Sequence, residues 1–176
     1  QEKDRPNPLS IYGESKLKGE RIVVESGIPF AIARTMLVYG VVADMSRSNI
    51  VLWARKALSE EQSINVVNDQ FRSPTLAEDL ADGVIAIAMK EKMGTYHLSG
   101  PQTLSIVDMV RAVAEYWELD ENLITEVSSD TLNQAAKRPP RTGLVILKAH
   151  TELGYRPRSF RDGVRVVDRQ LLEAGG

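Results

Sequence analysis

Tyr12 and Lys16 stand four residues apart in the run Ser10-Ile11-Tyr12-Gly13-Glu14-Ser15-Lys16. That spacing puts both side chains on one face of a helix. An ammonium beside a phenol stabilises the phenolate and so lowers a tyrosine pKa. A tyrosine tuned this way passes a proton to or from a substrate oxygen near neutral pH. This is the proton chemistry that a carbonyl reductase, an alcohol dehydrogenase or a sugar epimerase needs beside a nicotinamide hydride. Many helices carry such a pair by accident, so the surrounding residues must decide what it does.

The elements that position the pair can be read from pattern. Residues 1–8 are charged and proline-containing and read as a loop. Ser10 is placed to cap a helix that runs to about residue 26, where Gly27 and Pro29 stop it. Residues 30–35 have few charges and suit a strand buried on both faces, as in a parallel sheet. An amphipathic helix is expected over 48–60 and a short strand over 64–67. Thr75 is placed to cap a helix over 76–90, with Leu80, Val84, Ile87 and Ala88 as its apolar stripe. A short strand over 96–98 precedes a helix opened by Ser105, whose Ile106, Met109, Val110, Val113 and Trp117 share a face. A strand over 124–127, a long irregular loop over 128–142 and two helices near 148–153 and 160–174 complete the chain. Strands alternating with helices argue for α/β architecture, and this set alone forms an incomplete sheet.

Composition sets limits. A chain of 176 residues, 43% hydrophobic and 26% charged, suits one ordinary domain or one half of a larger one. A net charge of −2 gives no reason to expect nucleic acid or an anionic membrane as partner. No apolar run approaches the ~20 residues that span a bilayer. Zero cysteines exclude disulfides and thiol catalysis and fit a cytoplasmic protein. Two histidines, His97 and His150, make a metal cluster improbable, so no metal is expected.

Several further residues carry chemistry. Arg34 ends an apolar strand, where a charge must be paired or sit at a site rim, and strand carboxyl ends are where open parallel sheets bind ligands. Ion pairing and active-site support are equally open for it. Gln70 and Arg72 flank Phe71 just before a helix N-terminus, a region suited to anions. Lys137, Arg138 and Arg141 surround Pro139-Pro140 as the densest basic cluster. His97 is expected neutral and packed at a strand end. Trp53 and Trp117 are expected to be core or interface residues, not base-stacking platforms.

The stretch Asn7-Pro8-Leu9-Ser10-Ile11-Tyr12-Gly13-Glu14-Ser15-Lys16-Leu17-Lys18-Gly19-Glu20 resembles the active-site helix of the extended short-chain dehydrogenases, and most nearly that of the dTDP-4-dehydrorhamnose reductases. The likeness continues in order: Arg34-Thr35-Met36-Leu37-Val38-Tyr39-Gly40, then Asn68-Asp69-Gln70-Phe71-Arg72-Ser73-Pro74-Thr75, then Gly94-Thr95-Tyr96-His97-Leu98-Ser99-Gly100, then Arg138-Pro139 and the tail 148–154. The implied fold is the C-terminal portion of a Rossmann-like enzyme: the end of a parallel sheet plus a small α+β substrate-binding domain. Residues 1–60 would hold the catalytic helix, the following strand and a helix, and residues 61–176 mainly the substrate-binding part. No glycine-rich dinucleotide motif of the Gly-x-Gly-x-x-Gly kind occurs here. The resemblance therefore implies that the main cofactor site and the Ser/Thr partner of the tyrosine lie upstream, in an N-terminal half that this chain lacks.

By the same resemblance, Tyr12 and Lys16 are the catalytic pair and also touch the cofactor, NADPH or NADH, with Lys16 bonding the nicotinamide ribose and Arg34 in support. Leu37, Gln70, Arg72 and Arg138 would bind a nucleotide-sugar, the two arginines by neutralising its diphosphate. Leu37 stands where these reductases often have a tryptophan that packs on the sugar; leucine offers no flat aromatic surface. The implied reaction is reduction of the 4-keto group of a nucleotide-deoxysugar, dTDP-4-dehydro-L-rhamnose being the family's example. A nucleotide-sugar epimerase or dehydratase, and a non-catalytic regulatory subunit like the methionine adenosyltransferase beta subunit, stay open. A homodimer is also open, and the isolated 176-residue chain is expected to be inactive. Tyr12→Phe in the complete enzyme should lower turnover about 100-fold or more while leaving thermal unfolding unchanged; near-normal turnover would remove Tyr12 from the mechanism.

Overall fold

The computed structural model describes residues 1–42, 48–131 and 139–174. The first helix, α1 (Ile11–Glu25), begins where Ser10 accepts a hydrogen bond from the Gly13 amide at 3.1 Å, the side-chain cap expected of serine. The strand β1 (Ala31–Arg34) pairs in parallel with β6 (Gly94–His97), Arg34 lying opposite His97. The short strands β2 (Val38–Tyr39) and β5 (Thr75–Leu76) also pair in parallel, as do β3 (Ile64–Val67) and β8 (Ile124–Val127). One antiparallel pair, β4 (Phe71–Arg72) with β7 (Leu104–Ser105), completes the set. Helices α2 (Ile50–Ser59), α3 (Ala77–Met89), α4 (Ile106–Tyr116), α5 (Leu147–Leu153) and α6 (Phe160–Ala174) alternate with these strands. This is an α/β chain.

Two apolar clusters hold it together. The larger gathers Val51, Leu58, Val66, Met109, Val113 and Val167, with α2 against α4 and α4 against β3 and α6. The smaller gathers Ile87, Tyr96, Leu98, Leu153 and Tyr155 between α3, β6 and α5. The helical periodicity of α4 was a sound guide: Met109, Val110 and Val113 are fully buried, and the helix expected over 160–174 forms with Phe160, Val164 and Val167 facing inward. Ser105 caps α4 by accepting from the Asp108 amide at 3.0 Å.

Three expectations are corrected. Thr75 does not cap α3. It sits in β5 with its hydroxyl donating to the Met36 carbonyl at 2.9 Å, because a fully buried hydroxyl must find a partner and the strand register puts one within reach. The inward face of α3 is Asp79, Gly83 and Ile87, whereas Val84 is 45% exposed. A Cβ on Gly83 would lie 2.8 Å from Leu98, so this glycine lets α3 close onto the strand and thereby sets the helix's rotation. The strand β1 forms, but Ala31 and Ala33 are exposed. Among the described residues it pairs only with β6, so one edge and much of its surface have no cover.

His97 ends β6 only 3% exposed, and neither ring nitrogen has a hydrogen-bond partner among the described residues. Burial lowers its pKa below the ordinary 6.5, with Arg34 adding to the effect and Glu2 opposing it. A histidine kept neutral in the folded chain but free to charge when unfolded makes the unfolded state bind the extra proton, so stability falls as pH drops below 6.5. Urea unfolding at about pH 7.5 and about pH 5.5 should show that loss, and His97→Phe should shrink it. An equally steep loss in both proteins would contradict the assignment.

Candidate active site

The face of α1 that carries Tyr12 and Lys16 continues, again four residues on, to Glu20. The Lys16 Nζ lies 5.4 Å from the Tyr12 ring centroid, within the range of a cation–π contact. Tyr12 is 70% exposed, and no residue of α1 is buried, so a substrate can reach the pair. Glu20 is held from the sheet: Arg34 donates to its carboxylate through Nε at 2.9 Å and through a second nitrogen, Nη2, at 2.5 Å. That two-pronged contact raises the Arg34 pKa further and fixes the helix against the carboxyl end of β1. Of the two roles open to Arg34, the structure realises the ion pair with Glu20. Tyr12, Lys16 and Arg34 thus belong to one constellation, joined through a residue that the spacing argument did not single out.

A second constellation surrounds a cavity of about 420 Å³, within the range of small-molecule sites. Leu37, Gln70 and Arg72, all read from sequence as substrate-binding, line it together. Leu37 adopts φ 43°, the left-handed region that a bulky residue enters only under constraint. Bonds from Thr75 to the Leu37 carbonyl (backbone, 3.1 Å) and to the Met36 carbonyl hold it there. Such held strain is concentrated at ligand sites. Gln70 is 4% exposed and accepts from Arg72 Nη2 at 3.1 Å. Arg72 Nη1 donates to the Phe71 carbonyl at 2.6 Å and to that of Pro140 at 3.3 Å. These contacts present a guanidinium at the cavity wall in a fixed pose.

The basic cluster seen in the sequence reaches the same place in part. The Pro140 carbonyl accepts from the Phe71 amide at 2.7 Å, and the Arg141 guanidinium lies 4.8 Å from the Phe71 ring centroid. Arg138 and Lys137 lie outside the described residues. Tyr12 and Lys16 are not among the residues that line the cavity. Among the described residues no group of three or more His, Cys, Asp or Glu is arranged to hold a metal, and no helix is long and apolar enough to cross a membrane.

Sequence reasoning missed Asn49, Trp53 and Asn65, which also line the cavity. Asn49 caps α2 by accepting from the Val51 and Leu52 amides and donates its own amide to the Gly40 carbonyl at 2.7 Å. Trp117 fits the structural role expected of it, donating to Asp168 at 2.9 Å and packing against the larger cluster. Trp53 is not a core residue: it is 38% exposed and lines the cavity. Its position outside the Val51, Ala54 and Leu58 face of α2 was the available signal.

Comparison with known proteins gives this geometry a context. The model of the RmlD substrate binding domain matches residues 1–172. The chain is 33% identical over 166 residues to the spore coat polysaccharide biosynthesis protein SpsK of Bacillus subtilis, covering 93% of this chain and 56% of that protein. It is 31% identical over 170 residues to the methionine adenosyltransferase 2 subunit beta of Bos taurus, covering 93% and 50% respectively. Among solved structures, a dTDP-4-dehydrorhamnose reductase of Bacillus anthracis in complex with NADP superposes with TM-score 0.86 at 28% identity, covering 96% of this chain and 58% of that one. The chain therefore has the Rossmann-like α/β fold of the extended short-chain dehydrogenases, and it spans about half the length of the curated relatives it matches. A match over nearly its whole length makes it a member of the RmlD substrate-binding-domain family.

Proposed function

We propose that this chain carries the acid pair and the sugar-nucleotide pocket of an NAD(P)H-dependent oxidoreductase, one that reduces the 4-keto group of a nucleotide-deoxysugar. The substrate assigned is dTDP-4-dehydro-L-rhamnose and the product dTDP-L-rhamnose. The observation that carries the reading is the exposed Tyr12–Lys16 face, held by the Arg34–Glu20 pair at the carboxyl end of a parallel strand. The Tyr12 hydroxyl donates the proton to the substrate's carbonyl oxygen. Lys16 stabilises the phenolate that this leaves. Arg72, aligned by Gln70, meets the diphosphate.

The residues present suit one edge of a bound nicotinamide cofactor. An exposed phenol and an ammonium on one helical face offer the donors that a nicotinamide ribose needs. Bound NADPH or NADH supplies the hydride, and its pyrophosphate must be held by residues other than these 176, which contain no glycine-rich dinucleotide motif. Residues 61–176 are assigned mainly to substrate, and Arg138 joins Arg72 on the diphosphate. The setting is cytoplasmic nucleotide-sugar biosynthesis.

One observation favours a second reading. The likeness to methionine adenosyltransferase 2 subunit beta, with Leu37 in place of an aromatic, fits a regulatory subunit that serves by binding a partner and does not turn over sugar. Full-length protein mixed with dTDP-4-dehydro-L-rhamnose and NADPH should consume one reduced nicotinamide per sugar reduced, and the isolated 176-residue chain should consume none. Conversion of sugar without net loss of NADPH would point to an epimerase. No conversion, with tight association to a methionine adenosyltransferase, would establish the regulatory reading instead.

A further inference from the structure

From the cavity's lining we infer that Trp53 is the stacking platform for the nucleobase of the nucleotide-sugar, an inference that rests on the nucleotide-sugar reading above. The helix α2 turns Val51, Ala54, Ala57 and Leu58 into the core. Trp53 leaves that face. It lies four residues after Asn49 and three after Ile50, which puts the three on one side of the helix, and all three line the cavity. An indole left 38% exposed inside a concave site keeps a broad apolar surface in water, and covering it with a flat aromatic ligand recovers that cost. Stacking of a base on an aromatic side chain is tolerant of base identity because every base offers a π-face.

The remaining wall fits the other parts of such a ligand. Leu37 belongs to the connection leaving β1, the strand tied to the Tyr12 helix by Arg34 and Glu20. The end of the cavity it lines is therefore the one assigned to the reacting sugar. Trp53 comes from α2 and Asn65 from β3, elements further along the chain than the β1 connection. Asn65 is exposed at the cavity, and its amide can both donate to and accept from a base edge. Arg72 supplies the positive charge that a diphosphate requires. One aromatic plane, one adaptable amide and one guanidinium around a single cavity match base, base edge and diphosphate.

The test is equilibrium binding of dTDP, UDP, ADP and inorganic pyrophosphate to the full-length protein and to Trp53→Ala and Trp53→Phe. Trp53→Ala should weaken nucleotide binding by about ten-fold or more while changing pyrophosphate binding less than about two-fold. Trp53→Phe, which keeps a ring, should retain affinity to within about three-fold. Nucleotide should quench tryptophan emission of the wild-type protein and pyrophosphate should not, and Trp53→Phe should lose that quench, so the inference stays testable even if Trp53→Ala misfolds. Wild-type protein that binds nucleotide with no quenching, or with equal affinity in Trp53→Ala, overturns the stacking role alone. Wild-type protein that binds none of the three nucleotides overturns the nucleotide-sugar reading, and the stacking role with it.

Discussion

Everything proposed for the reactive helix depends on one ion pair. The helix α1 buries none of its residues, so apolar packing does not fix its rotation. Arg34 does, by gripping the Glu20 carboxylate with two nitrogens. Both side chains are about a quarter exposed, so the pair escapes much of the solvent screening that weakens surface bridges. Its two parallel charge-assisted bonds contribute about 1–3 kcal/mol and, more importantly, specify an angle. With Glu20 anchored, the spacing of four carries the same orientation back to Lys16 and Tyr12. The buried, neutral His97 opposite Arg34 in the sheet fits this scheme. A second cation at that position would repel the guanidinium on which the helix depends.

The cavity is positioned by a different means. Its walls come from α2, β3 and the β4 segment, and α2 and β3 are fastened in the larger apolar cluster by Val51 and Val66, together with Met109 and Val113 of α4. Packing of this kind resists small displacement because cores are filled to near-crystal density. Gln70, almost fully buried, then aligns Arg72 by a direct bond. A polar tie thus sets the Tyr12–Lys16 face while a packed core sets the cavity. The division suits the proposed roles: a proton donor must face solvent until substrate covers it, whereas a binding wall gains from rigidity.

Much of this was legible in the residues. The helix α4 announced itself through apolar spacing, and Ser10 and Ser105 cap as serine should. Leu37, Gln70 and Arg72 were named by resemblance and do converge on one cavity. The two-residue strands β2, β4, β5 and β7 escaped notice because so short a run has no periodicity to detect. Thr75 was misjudged because a local capping signal cannot reveal a strand partner 37 residues earlier at Val38. Arg34 stayed ambiguous because its partner, Glu20, sits fourteen residues away on a different element. Trp53 was expected at the core or an interface, when its helical position on the side of Asn49 placed it at the cavity.

In the proposed reaction Tyr12 and Lys16 act as one proton-delivering unit. Single-turnover hydride transfer, with nicotinamide saturating in the full-length protein, compares Tyr12→Phe, Lys16→Met and the double variant. If the lysine works through the tyrosine, the double variant should be no more than about three-fold slower than Tyr12→Phe alone, since groups that act together lose their effect together. Losses that multiply in the double variant would show two independent contributions and contradict the claim.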